Sequence, residues 1–249
     1  MSTRGVADVV FCLDASASMR PCIDGVRTHL TDFITGLKSN PQVTWDLRID
    51  FVAHSASETQ QGFAVFQRSL YNPLLIEALY SDRSQSARFF TTDAEEFRRG
   101  LNELPVKGNE ASLVALDSAL DFPWRDARQC HRVVIFMTDE KFETGVFCDG
   151  QKAKLAELQQ KIQQLRIMLY IVAPDSPAYN ELAAVDRSEY EVVGGQGRGL
   201  ADVDFKQVLN YIGKSVSVST LQAVATEPPT RGLFGQRDWT QGKFDLTGQ

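Results

Sequence analysis

Cysteine and histidine are scarce in this chain, and it has neither a long apolar run nor a concentrated basic block. Four of its 249 residues are cysteine and three are histidine. Cys12, Cys22, Cys130 and Cys148 show no C-x-x-C spacing, which argues against a structural zinc site and against a disulfide framework; they read as reduced thiols in a cytosol. No stretch has the length of a transmembrane helix, and Met1-Ser2-Thr3-Arg4 is not followed by a signal-peptide core, so a cytoplasmic location and no membrane span are expected. The formal net charge of −6 gives no global attraction to nucleic acid or to an anionic membrane. There is no G-x-S-x-G, no H-E-x-x-H and no phosphate-cradling glycine loop. Gly194-Gly195-Gln196-Gly197-Arg198-Gly199 is glycine-rich but lacks the Lys-Ser/Thr of a P-loop and reads as a flexible connection. His29 falls on a helix and His131 just before a strand, neither with a partner that suggests catalysis. His54, beside Ser55 at a strand end, reads as a surface histidine, with contact to a partner as the alternative.

What is present is a strand–helix alternation with an ordinary hydrophobic fraction of 43%, enough for a sizeable core. The length suits one large α/β domain with extensions, or two small ones. Val9-Val10-Phe11-Cys12-Leu13 is a continuous apolar run that ends in a polar turn, the pattern of a strand buried on both faces. Pro21 opens a helix over 21–38, with Ile23, Val26, Leu30, Phe33, Ile34 and Leu37 at helical spacing. Residues 45–52 alternate apolar and polar, which predicts a strand with one exposed face or an edge position. An extended run over 62–66 is placed to pair with it as a hairpin. Residues 74–80 suggest a short helix and 88–91 a brief strand. Asp93 caps the next helix, with Glu96 as its capping-box partner. A helix carrying Leu113, Leu116 and Leu120 leads to a second strongly apolar strand over 132–137. Further helical and apolar segments alternate up to about residue 218. The pattern specifies a doubly wound α/β fold: a mostly parallel sheet, an antiparallel edge strand, and helices on both faces.

Both strongly apolar strands end in acid-bearing turns, Asp14-Ala15-Ser16-Ala17-Ser18 and Thr138-Asp139-Glu140. Ligands in such sheets collect beyond the carboxyl ends of the strands. Alternate residues on a tight turn can aim Asp14, Ser16 and Ser18 at one point, and oxygen is what a hard divalent cation requires. If the two strands are neighbours, Asp139 joins them. The plainer alternative is that Asp14, Ser16 or Asp139 caps the helix that follows it.

The ordered pair of loops resembles the metal-ion-dependent adhesion site of the von Willebrand factor A (VWA) family, over roughly residues 5–218. Members place D-x-S-x-S after the first strand, a Thr before a central helix, and an Asp after the next strand. The middle loop departs from that pattern: matching its Ala-Leu pair puts Glu110 where the Thr would be and Ser112 two positions later. The resemblance implies a VWA, Rossmann-like domain over residues 1–220 whose metal ligands come from Asp14, Ser16, Ser18, Glu110, Ser112 and Asp139. The implied ion is Mg²⁺, with Mn²⁺ or Ca²⁺ as alternatives. If Glu110 reaches it, the added charge weakens capture of a partner's carboxylate; if Ser112 supplies the oxygen, capture remains open.

The function implied is a metal-dependent protein-interaction module, not an enzyme, in which an acidic side chain of a protein partner completes the metal shell. Bacterial intracellular relatives of this kind suggest an adaptor beside protein kinases, phosphatases or AAA+ ATPases in stress or defence. Two alternatives stand. One is a Mg²⁺-dependent hydrolase or phosphotransfer centre on the same carboxylates. The other is a purely structural metal, with partners bound by residues 69–91 or by the tail. Residues 221–249, rich in Gly and Pro but holding Leu233, Phe234, Trp239 and Phe244, read as that tail, either disordered or docked on the domain or a partner.

Overall fold

The computed structural model describes residues 3–57, 62–67, 89–106, 112–144, 148–194, 198–223, 237–238 and 243–244. Strand β1 (Thr3–Asp14) carries the first apolar run and leads through a 3₁₀ turn, Ala17–Met19, into helix α1 (Arg20–Leu37). Strands β2 (Val43–Ser57) and β3 (Gly62–Gln67) follow, then helices α2 (Ala94–Glu103) and α3 (Ser112–Leu120). Next come β4 (His131–Met137), α4 (Cys148–Lys152), α5 (Leu155–Leu165) and β5 (Ile167–Ala173). Helix α6 (Pro177–Ala183), β6 (Ser188–Val192) and the long helix α7 (Phe205–Ala223) close the main body.

The sheet runs β3-β2-β1-β4-β5-β6, and its far edge is extended by two short strands, β8 (Lys243–Phe244) and β7 (Arg237–Asp238). Strands β2, β1, β4, β5 and β6 pair parallel, while β3 lies antiparallel to β2 on the outer edge. Tyr190 of β6 pairs with Lys243 of β8. The first two apolar strands are therefore direct neighbours, with Leu13 opposite Met137. That register fixes the site, because the turns leaving both strands must start side by side.

Each face of the sheet holds its own core. On one, Ala7, Val9, Phe11 and Leu13 meet α1, α2 and α7; on the other, Val10 and Cys12 meet α3, α5 and α6. Helix α1 buries Ile23, Val26, Leu30, Phe33 and Leu37, each contributing about 1.5–3 kcal/mol. It approaches α7 so closely that a Cβ on Gly36 would stand 2.2 Å from the Asn210 carbonyl oxygen. Cys12, Cys22 and Cys130 are buried free thiols.

Three local expectations are corrected. Strand β2 lies between β3 and β1 rather than at the edge, and toward its carboxyl end its polar residues turn from partly exposed to covered. Asp50 is fully buried and accepts from the Phe90 amide at 2.8 Å, while Arg48 forks onto the buried Asp8 at 2.8 and 2.7 Å. Alternation looks the same whether the polar side meets water or a buried ion pair. Residues 89–91 make no strand, only an isolated bridge between Ile49 and Thr91. Asp93 does cap α2, accepting from the Glu95 amide. Its own amide, however, donates to Thr91 Oγ1, whose hydroxyl donates to Glu96, so the threonine hydroxyl takes the place assigned to the glutamate. The helix expected over 74–80 lies outside the described residues.

Candidate metal site

Asp14 ends β1, where β2 and β4 flank it, and its side chain folds back over the following turn. Oδ1 accepts from the Ser16 amide at 2.7 Å and Oδ2 from the Thr138 hydroxyl at 3.1 Å. The Ala15 amide donates to the His54 carbonyl at 2.6 Å, which pins the turn to β2. Ser16 stands at the N-cap position of the 3₁₀ turn but makes no side-chain capping bond. Its Oγ instead lies 3.1 Å from Ser18 Oγ, and Ser18 donates to Asp139 Oδ1 at 3.1 Å. The second oxygen of Asp139 accepts from the Gly199 amide at 2.5 Å. The structure thus joins Asp14, Ser16, Ser18 and Asp139 in one hydrogen-bonded cluster at the carboxyl ends of β1 and β4.

Of the middle-loop candidates, Ser112 is the first residue of α3 and is buried, bonded to Tyr179 and not directly to the cluster among the described residues. Tyr179 of α6 donates to Ser112 Oγ at 2.9 Å and toward the Glu140 carbonyl at 3.3 Å. The amides of Leu113 and Val114 donate to Gln151 Oε1, which caps α3 from α4. Glu110 lies outside the described residues.

Asp14 is 1% exposed and Asp139 0%. Burial, then the charges of Asp139 and Asp14, push the Cys22 thiol well above its ordinary range. Burial also raises the Tyr179 hydroxyl, the Ser112 bond lowers it, and the Asp14 charge raises it further. Among the described residues no ion pair reaches Asp139. A buried carboxylate without a cation is costly.

The donor set fits a hard divalent ion in two respects. Every donor is oxygen, which suits Mg²⁺, Mn²⁺ or Ca²⁺. The spacings of 3.1 Å between Ser16 and Ser18 and between Ser18 and Asp139 are close to the roughly 2.9 Å separating adjacent oxygens on an octahedral Mg²⁺. Among the described residues no three His, Cys, Asp or Glu side chains gather at one point, so a cation here would depend on the serine hydroxyls as well as on both carboxylates.

Sequence reasoning missed three contributors. Gly199 reads in sequence as part of a flexible connection, yet its φ is +62° and a Cβ there would stand 2.0 Å from the Ser18 carbonyl oxygen. The glycine lets the chain come close enough to bond Asp139. Thr138 was visible beside Asp139 without a role, and nothing in the sequence points to Tyr179. His54 is buried rather than on the surface, and burial lowers its pKa to about 4. The side chain of Ser55 is outside the described set. His29 does lie on α1, 2.9 Å from Asp32, and His131 opens β4.

A scan against family models and a search of curated proteins return no match. Solved structures do match. A von Willebrand factor type A protein from Catenulispora acidiphila gives a TM-score of 0.52 at 17% identity, covering 87% of this chain and 43% of that one. The pilus adhesin SpaC of Lactobacillus rhamnosus GG, in an open conformation, gives 0.48 at 11% identity, covering 86% of this chain and 30% of that one. Proximal thread matrix protein 1 of the mussel byssus gives 0.46 at 12% identity, covering 87% and 49%. This chain spans less than half the length of each. Parallel order, two-sided helical cover and the first of these superpositions agree that the chain has the von Willebrand factor type A fold.

Proposed function

We propose that this chain is a protein-interaction module, without catalytic activity of its own, that engages its partner through a divalent cation held by Asp14, Ser16, Ser18 and Asp139. Asp14 and Asp139 supply the charge that holds the cation. Ser16 and Ser18 supply neutral oxygens that add donors without adding charge. Ser112 or Glu110 supplies the middle-loop oxygen. Mg²⁺ held by these residues would supply the positive charge that draws in an acidic side chain of the partner protein. The observation that carries this reading is the meeting of two loops far apart in sequence: Ser18 donates to Asp139 at 3.1 Å and Thr138 donates to Asp14 at 3.1 Å.

The setting we propose is cytoplasmic, as an adaptor beside a kinase, phosphatase or AAA+ ATPase in bacterial stress or defence, without contact to nucleic acid. What supports the setting is that Cys12, Cys22 and Cys130 are not joined in disulfides, as is usual in a reducing compartment. Among the described residues no helix is long and apolar enough to cross a membrane. The test is capture of partners from the native host in Mg²⁺ and in EDTA, with wild type and Asp14→Ala. A partner retained only by wild type in Mg²⁺ supports the reading. One retained equally in all four samples overturns it.

A further inference from the structure

Tyr179 is fully buried on α6, and its ring is fixed by edge contacts with Phe136, Phe142 and Tyr190 at centroid distances of 5.5, 6.5 and 6.3 Å. A ring held on three sides delivers its hydroxyl to one place. That hydroxyl joins two loops: it donates to Ser112 Oγ at 2.9 Å and lies 3.3 Å from the carbonyl of Glu140, the residue after Asp139. We infer that Tyr179 is a positioning residue of the candidate site, whose hydroxyl fixes the Ser112 hydroxyl as the middle-loop oxygen offered to the cation. The inference rests on the metal reading above.

The chemistry follows from the inventory of a serine hydroxyl, which has one proton and two lone pairs on a freely turning bond. Left alone at a helix start, it turns toward whichever backbone group is nearest. The Tyr179 proton occupies one lone pair and removes that freedom, so the other lone pair keeps a fixed direction. Ser112 is only 4% exposed, so water competes poorly for it. The Glu140 carbonyl that lies 3.3 Å from the same hydroxyl belongs to the residue after Asp139, which keeps Ser112 within one tyrosine hydroxyl of the second loop. The merely structural alternative is a buried tyrosine satisfying its hydroxyl, for which the Glu140 carbonyl alone would serve.

The experiment is a double-mutant cycle in Mn²⁺ affinity, read by electron paramagnetic resonance on the full chain, with wild type, Tyr179→Phe, Ser112→Ala and the double variant. Phe keeps the ring and its contacts, and circular dichroism checks each fold. Loss of an orienting partner behind a metal ligand typically lowers affinity by about 10–100-fold. We expect Y179F to bind Mn²⁺ about tenfold more weakly, S112A to be weakened at least as much, and the double variant to match S112A. Ser112→Thr, which keeps the hydroxyl, is expected to restore binding. Wild-type affinity in Y179F overturns the inference, as do losses that multiply in the double variant. Should Y179F not fold, equal affinities of S112A and S112T overturn it. A wild type that binds no Mn²⁺ overturns the metal reading and this inference together, an outcome distinct from a failure confined to Tyr179.

Discussion

Ser18 and Asp139 are hydrogen-bonded at 3.1 Å although 121 residues separate them. The bond ties the loop after β1 to the loop after β4 and brings a hydroxyl donor to a fully buried carboxylate, which the proposed cation would neutralise. Asp139→Asn removes that charge while keeping the shape. In EDTA the variant is expected to unfold at the same or a higher denaturant concentration than wild type. In Mg²⁺ the order reverses, because wild type gains about 2.7 kcal/mol at a hundred times its dissociation constant and the variant gains nothing. Chemical denaturation in the two buffers checks this. Equal responses to Mg²⁺ would contradict it.

Gly199→Ala forces a Cβ to within 2.0 Å of the Ser18 carbonyl oxygen at a φ of +62°. Strain of this kind costs about 1–3 kcal/mol, and relief by moving the segment also withdraws the amide from Asp139. The expected result is lower stability in urea together with weaker Mn²⁺ binding. Gly194→Ala is the control, since a Cβ there meets nothing within 4 Å, and it should change neither.

At the opposite end of the sheet, Asp8 is buried and accepts from Arg48, from the Arg125 guanidinium and from the Arg125 amide. Burial alone would raise its pKa, but the bonds from Arg48 and Arg125 outweigh it and hold the carboxyl below its ordinary value. Asp8→Ala removes the carboxylate that Arg48 and Arg125 share, while Arg125 keeps the Ala7 and Asp46 carbonyls and the Asp46 carboxylate, so the expected cost is about 1–3 kcal/mol. Urea unfolding should show that loss, while Mn²⁺ affinity should stay within about twofold, because sites without shared partners add independently. A comparable loss of Mn²⁺ binding would show that the two ends of the sheet are coupled.

His54 is fully buried, and burial brings its pKa from 6.5 to about 4. Between those values the unfolded chain holds a proton that the folded chain does not. The stabilisation from keeping the ring neutral is therefore complete above pH 6.5 and is lost as the pH falls toward 4, by on the order of 3 kcal/mol. His131 shifts in the same direction through burial and the nearby Arg187 and Arg166. Thermal unfolding from pH 7 to pH 4 should fall less steeply in His54→Gln than in wild type. The His54 ring resonances should remain those of neutral imidazole at pH 5.5.

Much of this architecture was legible in the residues. Uninterrupted apolar runs at 9–13 and 132–137 mark strands covered on both faces, and their acid-bearing ends mark where two loops meet. The 3.6-residue spacing from Ile23 to Leu37 gave α1 to within a residue of its ends. What pattern could not reveal was how polar groups inside the fold are satisfied. Arg48 and Asp50 look like a wet face because alternation records polarity and not partners. His54 looks like a surface residue for the same reason. Gly199 and Tyr179 act on the site through contacts 60 and 67 residues away in sequence, which no local spacing encodes.

The most direct measurement is titration of the metal-free full chain with Mn²⁺, followed by electron paramagnetic resonance, on wild type, Asp14→Ala and Asp139→Ala. One ion bound by wild type, displaced by Mg²⁺ and lost in both variants, is the predicted result. Binding unchanged by both substitutions, or absent from wild type, would contradict a cation held between these two loops.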